Sequence, residues 1–331
     1  MDPMEDAGST ELVGMGLRVS VSPVQIAFYI ILVLLGIMGN ATVVGVIGQS
    51  VIKDGGGGRN SDIIIINMAF SNLLVSLMRN ILLFISDMGL QLYSSKEWCQ
   101  FLMGIWVWLR SVSVWSTLFL SAFHLQTLRR VTPVTGSSHG ARGVPRNLLM
   151  SLGLVWFLNF IYSIPAHIFS TSGNENSTET LMLVSSTTRP LLGCVWNFPS
   201  SFIGLAYATT SMVIHETLPI ILMALTNLGS LYTLYTHSRM QSSVQGTSAK
   251  KRVPAERRAA KVILALIMLF IASWGTSIIS VNYFNYNRGS SAEFLLVIAR
   301  FANIIFIAMS PAVLAIGHRR LRSFIKSALA H

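Results

Sequence analysis

Charged residues are scarce in this chain, and acidic residues are the scarcest of them. Of the 331 residues, only 11% are charged, whereas 52% are hydrophobic. Soluble domains average about 25% charged residues, so this composition excludes an ordinary soluble protein and predicts a polytopic membrane protein. Asp and Glu number 13 against 24 Lys and Arg. We expect no nucleic-acid partner, because the basic residues lie between apolar runs, as they do in a topology signal.

Cysteine and catalytic motifs are also nearly absent. The two cysteines, Cys99 and Cys194, are too few for a metal cluster, and one disulfide between them is the only pairing available. The chain has no nucleophile motif, no metal-ligand spacing and no paired carboxylates within its apolar runs. We therefore expect neither an enzyme nor a bound metal or cofactor. The acidic N-terminus lacks the basic segment of a cleaved signal peptide, so we expect none.

Seven apolar runs are each long enough to cross the ~30 Å hydrocarbon core of a bilayer, which takes roughly 20 residues. A spanning backbone must satisfy its own hydrogen bonds, so each run is predicted to be a helix. The predicted fold is an all-α membrane protein, a seven-transmembrane helix bundle. A short amphipathic helix is expected after the seventh span. The predicted spans are approximately 24–48, 62–86, 101–127, 147–169, 211–236, 260–283 and 292–316.

Basic residues are divided unequally between the two sides of the membrane. Most lie in the loops 48–62, 128–147 and 237–261 and after residue 317, and the opposite loops hold only Arg18, Lys96, Arg189 and Arg288. The positive-inside rule then places the N-terminus outside. Asn176 opens an Asn-Ser-Thr sequon on the outer side and is a predicted glycosylation site. The predicted regions are an extracellular N-terminus, 1–23, a transmembrane domain, 24–317, and a cytoplasmic amphipathic tail, 318–331.

Arginines inside the apolar spans are the strongest signal for a binding site. Arg79, Arg110 and Arg300 lie at similar depth in the outer halves of the second, third and seventh spans. The adjacent pair His215 and Glu216 lies in the fifth span. A charge at the membrane centre costs about 2.5–3.5 kcal/mol on insertion scales, and such residues usually face the bundle interior or a water-filled cavity. We expect these five residues to line a ligand pocket.

A pocket with excess positive charge favours an anionic or strongly hydrogen-bonding small molecule, because guanidinium groups bind carboxylates bidentately. An alternative is that Glu216 neutralises one arginine and polar side chains satisfy the others. Aromatic residues are the candidate apolar walls of the pocket: Trp106 first, with Trp108, Trp115, Tyr207 and Trp274.

Several motifs resemble the G-protein-coupled receptor superfamily: Gly39-Asn40, Cys99 with Cys194, Pro219 and Ser310-Pro311. Other positions depart from the rhodopsin-like pattern. Asn72 stands where the usual sodium-binding aspartate lies, and His124 stands in place of the arginine of Asp-Arg-Tyr. This combination resembles the vomeronasal type-1 receptors and their fish counterparts, the class-A-related olfactory receptors. Bitter taste receptors are the nearest alternative, but they generally lack the outer cysteine pair.

The resemblance implies a chemosensory receptor in the plasma membrane of sensory neurons. It would bind a small organic ligand such as an acid, a steroid or a similar odorant, and activate a heterotrimeric G protein. The basic loop 238–258 is predicted to contact the G protein and anionic membrane lipids. A less favoured alternative is an anion transporter, which the absence of an internal repeat argues against. The residues expected to face the G protein are His124, Arg129, Arg130, Lys250, Lys251, Arg257 and Arg258.

Overall fold

The computed structural model describes residues 22–53, 60–80, 95–130, 146–172, 185, 187–188, 194–243, 253–287 and 294–329. The helices are α1 (Pro23–Lys53), α2 (Asn60–Val75, continued by a π turn, Ser76–Asn80), α3 (Lys96–Arg130), α4 (Arg146–Ile168), α5 (Ser201–Met212, a π turn Val213–Thr217, then Leu218–Ser243), α6 (Val253–Asn287), α7 (Phe294–Gly317) and α8 (Arg319–Leu329). Two strands, β1 (Ser170–Ser172) and β2 (Cys194–Trp196), form an antiparallel pair.

Among these described residues, seven helices are long and apolar enough to cross a membrane, and a short helix follows the last of them. The predicted fold class is thereby confirmed. Some predicted features lie outside the described part: the segment 1–21, Asn176, Lys250 and Lys251. For four further site residues the helix is described but the side chain is not: Arg79, Arg130, Arg257 and Arg258.

Helix α3 lies at the centre of the bundle. In its most apolar membrane-spanning window 78% of the residues are buried, against 17% to 50% for the other six spans. It packs against α2, α4, α5 and α6. Its buried residues include large apolar side chains, such as Met103 and Trp106, and small polar ones, such as Ser113 and Ser116. Small residues let helices approach closely in a membrane, where van der Waals packing and interhelical hydrogen bonds drive association.

Hydrogen bonds between polar side chains join α2, α3 and α4 in the bundle interior. Asn67 donates to the Ser116 hydroxyl (2.8 Å) and accepts a hydrogen bond from the Trp156 indole (2.9 Å). Ser113 donates to the Asn72 side-chain oxygen at 2.8 Å. Such bonds contribute about 0.6 kcal/mol each on average in membrane proteins. They fix the orientation of α3, and therefore the direction in which its outer half presents Arg110.

Asn40 compensates for the proline in α7. Pro311 has no backbone N–H, so it leaves the carbonyl of Ile307, one turn earlier, without its helical donor. The Asn40 side-chain amide of α1 donates to that carbonyl at 2.9 Å and to the Gly36 carbonyl at 2.8 Å. Gly39 makes this approach possible, because a Cβ there would lie 2.7 Å from the Pro311 ring. The motifs Gly39-Asn40 of α1 and Ser310-Pro311 of α7 thus contact each other.

Helix α5 begins at Ser201, not near residue 211 as the hydropathy pattern predicts. Ser200 caps it by accepting a hydrogen bond from the Ile203 N–H at 3.3 Å. Thr209, Thr210 and Ser211 lie in its third turn, where they interrupt the apolar pattern and separate the first two turns from the rest of the span. The π turn follows, with the Leu218 N–H bonded to the Val213 carbonyl five residues earlier. Single π turns often mark functional sites.

A covalent strap closes the outer end of the bundle. Cys99, at the top of α3, is bonded to Cys194 in β2, as predicted. Strand β2 pairs with β1, which follows directly after α4. The Asn197 N–H also donates to the Phe169 carbonyl at 2.6 Å. Strand β1 continues from α4 and β2 is bonded to α3, so both strands are fixed at the outer ends of these helices.

Candidate functional site

The guanidinium of Arg110 lies where α3, α6 and α7 meet. Its Cζ atom is 3.3 Å from the centroid of the Trp274 ring on α6 and 5.6 Å from that of Trp106, one turn earlier on α3. Its Nη2 donates to the Asn303 side-chain oxygen on α7 at 2.6 Å. Arg110, Trp106, Trp274 and Asn303 are called the arginine cluster below. Only 3% of Arg110 is exposed.

Aromatic and amide partners make this buried charge tolerable. A desolvated cation over an aromatic face gains about 2 kcal/mol or more, and a hydrogen bond to a charged group contributes about 1.5–3 kcal/mol. Trp274 was expected as an apolar wall, and its ring stacks on the Arg110 charge instead. Asn303 was missed at the sequence level. Its only signal is that it is a polar residue, three positions after Arg300, in a strongly apolar span.

Glu216 binds the outer loop. Its Oε1 accepts hydrogen bonds from the Ser185 hydroxyl (2.8 Å), the Thr187 N–H (2.9 Å) and the Thr187 hydroxyl (3.3 Å). Ser185, Thr187 and Thr188 form the roof segment, and all three are fully buried. The hydrogen bonds of Glu216 therefore hold backbone and hydroxyl groups of the roof segment against α5.

The roof segment connects Glu216 to the arginine cluster. Thr187 donates its N–H to Glu216, and its carbonyl accepts a hydrogen bond from the Trp106 indole at 3.0 Å. The Trp196 indole in β2 donates to the Thr188 carbonyl at 2.8 Å. Contacts therefore run from Arg110 through Trp106 and the roof segment to α5. A displacement of the roof segment would act on α3 and α5 together.

His215 faces a different set of residues from its neighbour Glu216. The Trp115 indole N–H donates to His215 Nδ1 at 3.2 Å, and the Tyr162 ring of α4 lies 4.0 Å from the imidazole, centroid to centroid. The hydroxyls of Tyr162 and Ser211 are hydrogen-bonded beside it. Because Nδ1 accepts, the neutral ring carries its proton on Nε2. That Nε2 is buried and has no hydrogen-bond partner in the described part of the chain.

Arg300 lies one turn before Asn303 on α7, but its side chain contacts a different helix. Its Cζ is 4.1 Å from the centroid of the Tyr29 ring, and Tyr29 belongs to α1. The described contacts thus place Arg110 against α6 and α7, and Arg300 against α1. For Arg79, the structure gives only its position in the π turn that ends the described part of α2.

Predicted G-protein-facing residues lie at the inner end of α3. His124 is buried, and its Nε2 has no hydrogen-bond partner among the described residues. Arg129 is exposed, one residue before the helix ends. Sequence reasoning missed one inner contact: Asp62 of α2 lies 3.3 Å from the His318 imidazole, between α7 and α8. The separation of these residues along the chain left no local signal for that pair.

Comparisons with known proteins decide the family. Residues 39–313 match the model of the 7 transmembrane receptor (rhodopsin family). The olfactory receptor class A-like protein 4 of Danio rerio is 42% identical over 271 residues, which cover 81% of this chain and 78% of that protein. The chain belongs to this receptor family. The vomeronasal type-1 receptor 47 of Mus musculus is 27% identical to the receptor over 232 residues, 69% of this chain and 70% of that protein.

A receptor of another kind matches at lower identity. The galanin receptor type 1 of Rattus norvegicus is 21% identical over 279 residues, which cover 82% of this chain and 70% of that protein. The higher identity to the olfactory class A-like protein places the receptor in the olfactory class A-like and vomeronasal type-1 group. The predicted family is thereby confirmed. The receptor is a multi-pass protein of the plasma membrane and not an enzyme.

Proposed function

We propose that this receptor is a chemosensor for small organic molecules that carry a carboxylate or another strong hydrogen-bond acceptor. The observation that carries the proposal is the buried Arg110, held by Trp274 and Asn303 beneath a roof segment that is bonded to the bundle. A guanidinium has five N–H donors and no acceptor. A ligand that reaches this cluster must therefore supply acceptor atoms.

Other buried polar groups favour the same ligand chemistry. The Trp274 Nε1 and the His215 Nε2 are buried and have no hydrogen-bond partner among the described residues. An indole N–H is only a donor, and the neutral His215 ring donates from Nε2. The Ser277 hydroxyl, one turn after Trp274, is likewise buried and has no hydrogen-bond partner among the described residues. Buried polar groups are nearly always satisfied, so a ligand or water that accepts hydrogen bonds would complete this set.

The remaining predicted residues take different parts in this proposal. Trp106 and Trp274 form the walls, and His215 donates to the ligand from α5. Glu216 acts by positioning the roof segment, because its hydrogen bonds go to Ser185 and Thr187. Arg79 and Arg300, on α2 and α7, would add positive charge and attract an anion toward the opening. Asn176 remains a predicted glycosylation site.

Ligand binding would be read out at the inner face by a heterotrimeric G protein. A ligand that binds the active arrangement more tightly shifts the population toward it. We propose that the G protein contacts the inner ends of α3, α5 and α6. These include His124, Arg129 and Arg130 of α3, the predicted basic pair Lys250 and Lys251, and Arg257 and Arg258 near the start of α6. Because His124 stands in place of the arginine of Asp-Arg-Tyr, we propose that this receptor switches without the usual ionic contact between α3 and α6.

A reporter-cell screen with matched ligand pairs tests the proposed ligand chemistry. Each carboxylic acid is compared with its primary amide and its methyl ester, which have nearly the same shape and no charge. We expect acids to activate the receptor, and their amides to need at least about fivefold higher concentration, since a charged hydrogen bond exceeds a neutral one by roughly 1 kcal/mol or more. Equal potency within pairs, or activation by amines alone, would contradict the proposal.

A further inference from the structure

A groove on the lipid-facing side of the bundle lies between α3 and α5, away from the arginine cluster. Its volume is about 560 Å³. Phe119, Ala122, Phe123, Gln126 and Arg129 of α3 line it, with Thr226 of α5. Spacings of three and four residues place these α3 side chains on one helical face. Apart from Arg129, none of the residues that line this groove belongs to the arginine cluster, the roof segment or the predicted G-protein-facing set.

We propose that this groove binds an anionic phospholipid of the inner leaflet, with an acyl chain along Phe119 and Phe123 and the headgroup at Arg129. The apolar residues of the groove lie nearer the membrane centre and the basic residue lies at the cytoplasmic end, which is the order of acyl chain and headgroup in such a lipid. Phe119 lies toward the membrane centre, and Arg129 lies at the predicted cytoplasmic end of α3. Cytoplasmic leaflets carry the anionic lipids, and basic side chains beside them are attractive sites for their headgroups.

The length of the groove matches one leaflet. Ten residues of helix separate Phe119 from Arg129, so at 1.5 Å per residue the stripe is about 15 Å long. That is half of the ~30 Å hydrocarbon core. One acyl chain therefore fits along the stripe with its headgroup at the level of Arg129.

Two contacts between α3 and α5 close the floor of the groove. The hydroxyls of Ser121 and Thr226 are hydrogen-bonded at 2.7 Å. At Gly229 the helices come so close that a Cβ would lie 3.3 Å from both Leu125 methyl groups and 3.8 Å from an Arg129 guanidinium nitrogen. Arg129 thus lies against α5 at the inner end of the groove. The α3 stripe above it is open, since Ala122 and Gln126 are exposed.

A second protein helix suits this stripe less well. Helix pairs in membranes associate through stripes of small residues that let the backbones approach closely. On this stripe, two phenylalanines project from α3 beside one alanine. They leave a recess between their side chains, whereas a second helix would need a smooth face. A flexible chain can follow such a recess.

Native mass spectrometry of the purified full-length receptor tests the proposal. The receptor is titrated with phosphatidylserine and with phosphatidylcholine of the same acyl chains, and the bound lipids are counted. We expect wild type to prefer phosphatidylserine by about fivefold or more, the effect of one basic side chain at an anionic surface. Ala122→Trp, which fills the groove, is expected to lower binding of both lipids, and Arg129→Gln to remove only the preference.

Matched controls make the same changes away from the groove. Ala312→Trp alters an exposed alanine of α7, and Arg319→Gln removes an exposed arginine of α8. Both are expected to bind lipid as wild type does, with the thermal unfolding midpoint showing that every variant is folded. Unchanged lipid binding by Ala122→Trp would overturn the proposal, as would loss of the preference in Arg319→Gln. A receptor dimer that Ala122→Trp dissociates, with no lipid preference in wild type, would assign the groove to a second copy instead.

Discussion

Replacing Arg110 with glutamine is expected to reduce sensitivity to an acidic agonist by about 30-fold or more, because removing one partner of a buried charge pair costs at least 2 kcal/mol. Glutamine can still donate to Asn303, so the contact between α3 and α7 is retained. The stacking of a charge on Trp274 is lost with the guanidinium. The measurement is a dose-response curve in reporter cells, with surface receptor counted on the same cells.

Lys96→Gln is the matched control for Arg110→Gln. It removes one positive charge from the same helix at an exposed position near the outer end. We expect its dose-response curve to stay within about twofold of wild type, since exposed charges are well screened by salt. An unchanged curve for Arg110→Gln would remove Arg110 from the ligand site. Loss of the receptor from the surface in that variant would assign Arg110 a structural role.

Removing the Glu216 carboxylate is expected to release the roof segment. The variant Thr188→Cys reports on this, because Cys99 and Cys194 are bonded to each other and the new thiol is the only reactive one. Thr188 is fully buried, so a membrane-impermeant thiol reagent should label Thr188→Cys slowly. Adding Glu216→Ala should raise the labelling rate by about tenfold or more, since each hydrogen bond to a charged group contributes roughly 1.5–3 kcal/mol.

Two further variants isolate the carboxylate. In the Thr188→Cys background, Glu216→Gln keeps an acceptor oxygen without the charge, so we expect a labelling rate between those of Thr188→Cys alone and Thr188→Cys with Glu216→Ala. Glu97→Ala, at the exposed outer end of α3, should leave the rate unchanged. If all four receptors were labelled at one rate, Glu216 would not hold the roof segment, and its place would be among the ligand contacts.

Hydropathy predicted the seven helices well, because each spanning segment must be both long and apolar. The predicted bounds fail where polar side chains enter a helix, as at Thr209 and Thr210 in α5. The cysteine pairing was certain once a disulfide was assumed, because two cysteines allow one pairing. The π turn at His215 and Glu216 was beyond prediction, since it depends on how α5 packs.

The arginine cluster was predicted only in part. The cost of burying a charge identified Arg110 from composition alone. Its partners, Trp274 and Asn303, come from α6 and α7, and only the crossing of the helices brings them together. The hydrogen-bond partners of Glu216 were harder still to predict. Its partners Ser185 and Thr187 lie in a polar loop, where a sequence gives no sign that a hydroxyl is buried.

One measurement tests the central claim most directly: the rate of GDP–GTP exchange on a purified heterotrimeric G protein, with the receptor in lipid nanodiscs and an acidic agonist from the screen. We expect the agonist to accelerate exchange by wild type and not by Arg110→Gln, with the neutral amide of the same molecule nearly inactive. Exchange that no acid accelerates, with the same acids carried across sealed vesicles that contain the protein, would contradict this account and favour an anion transporter.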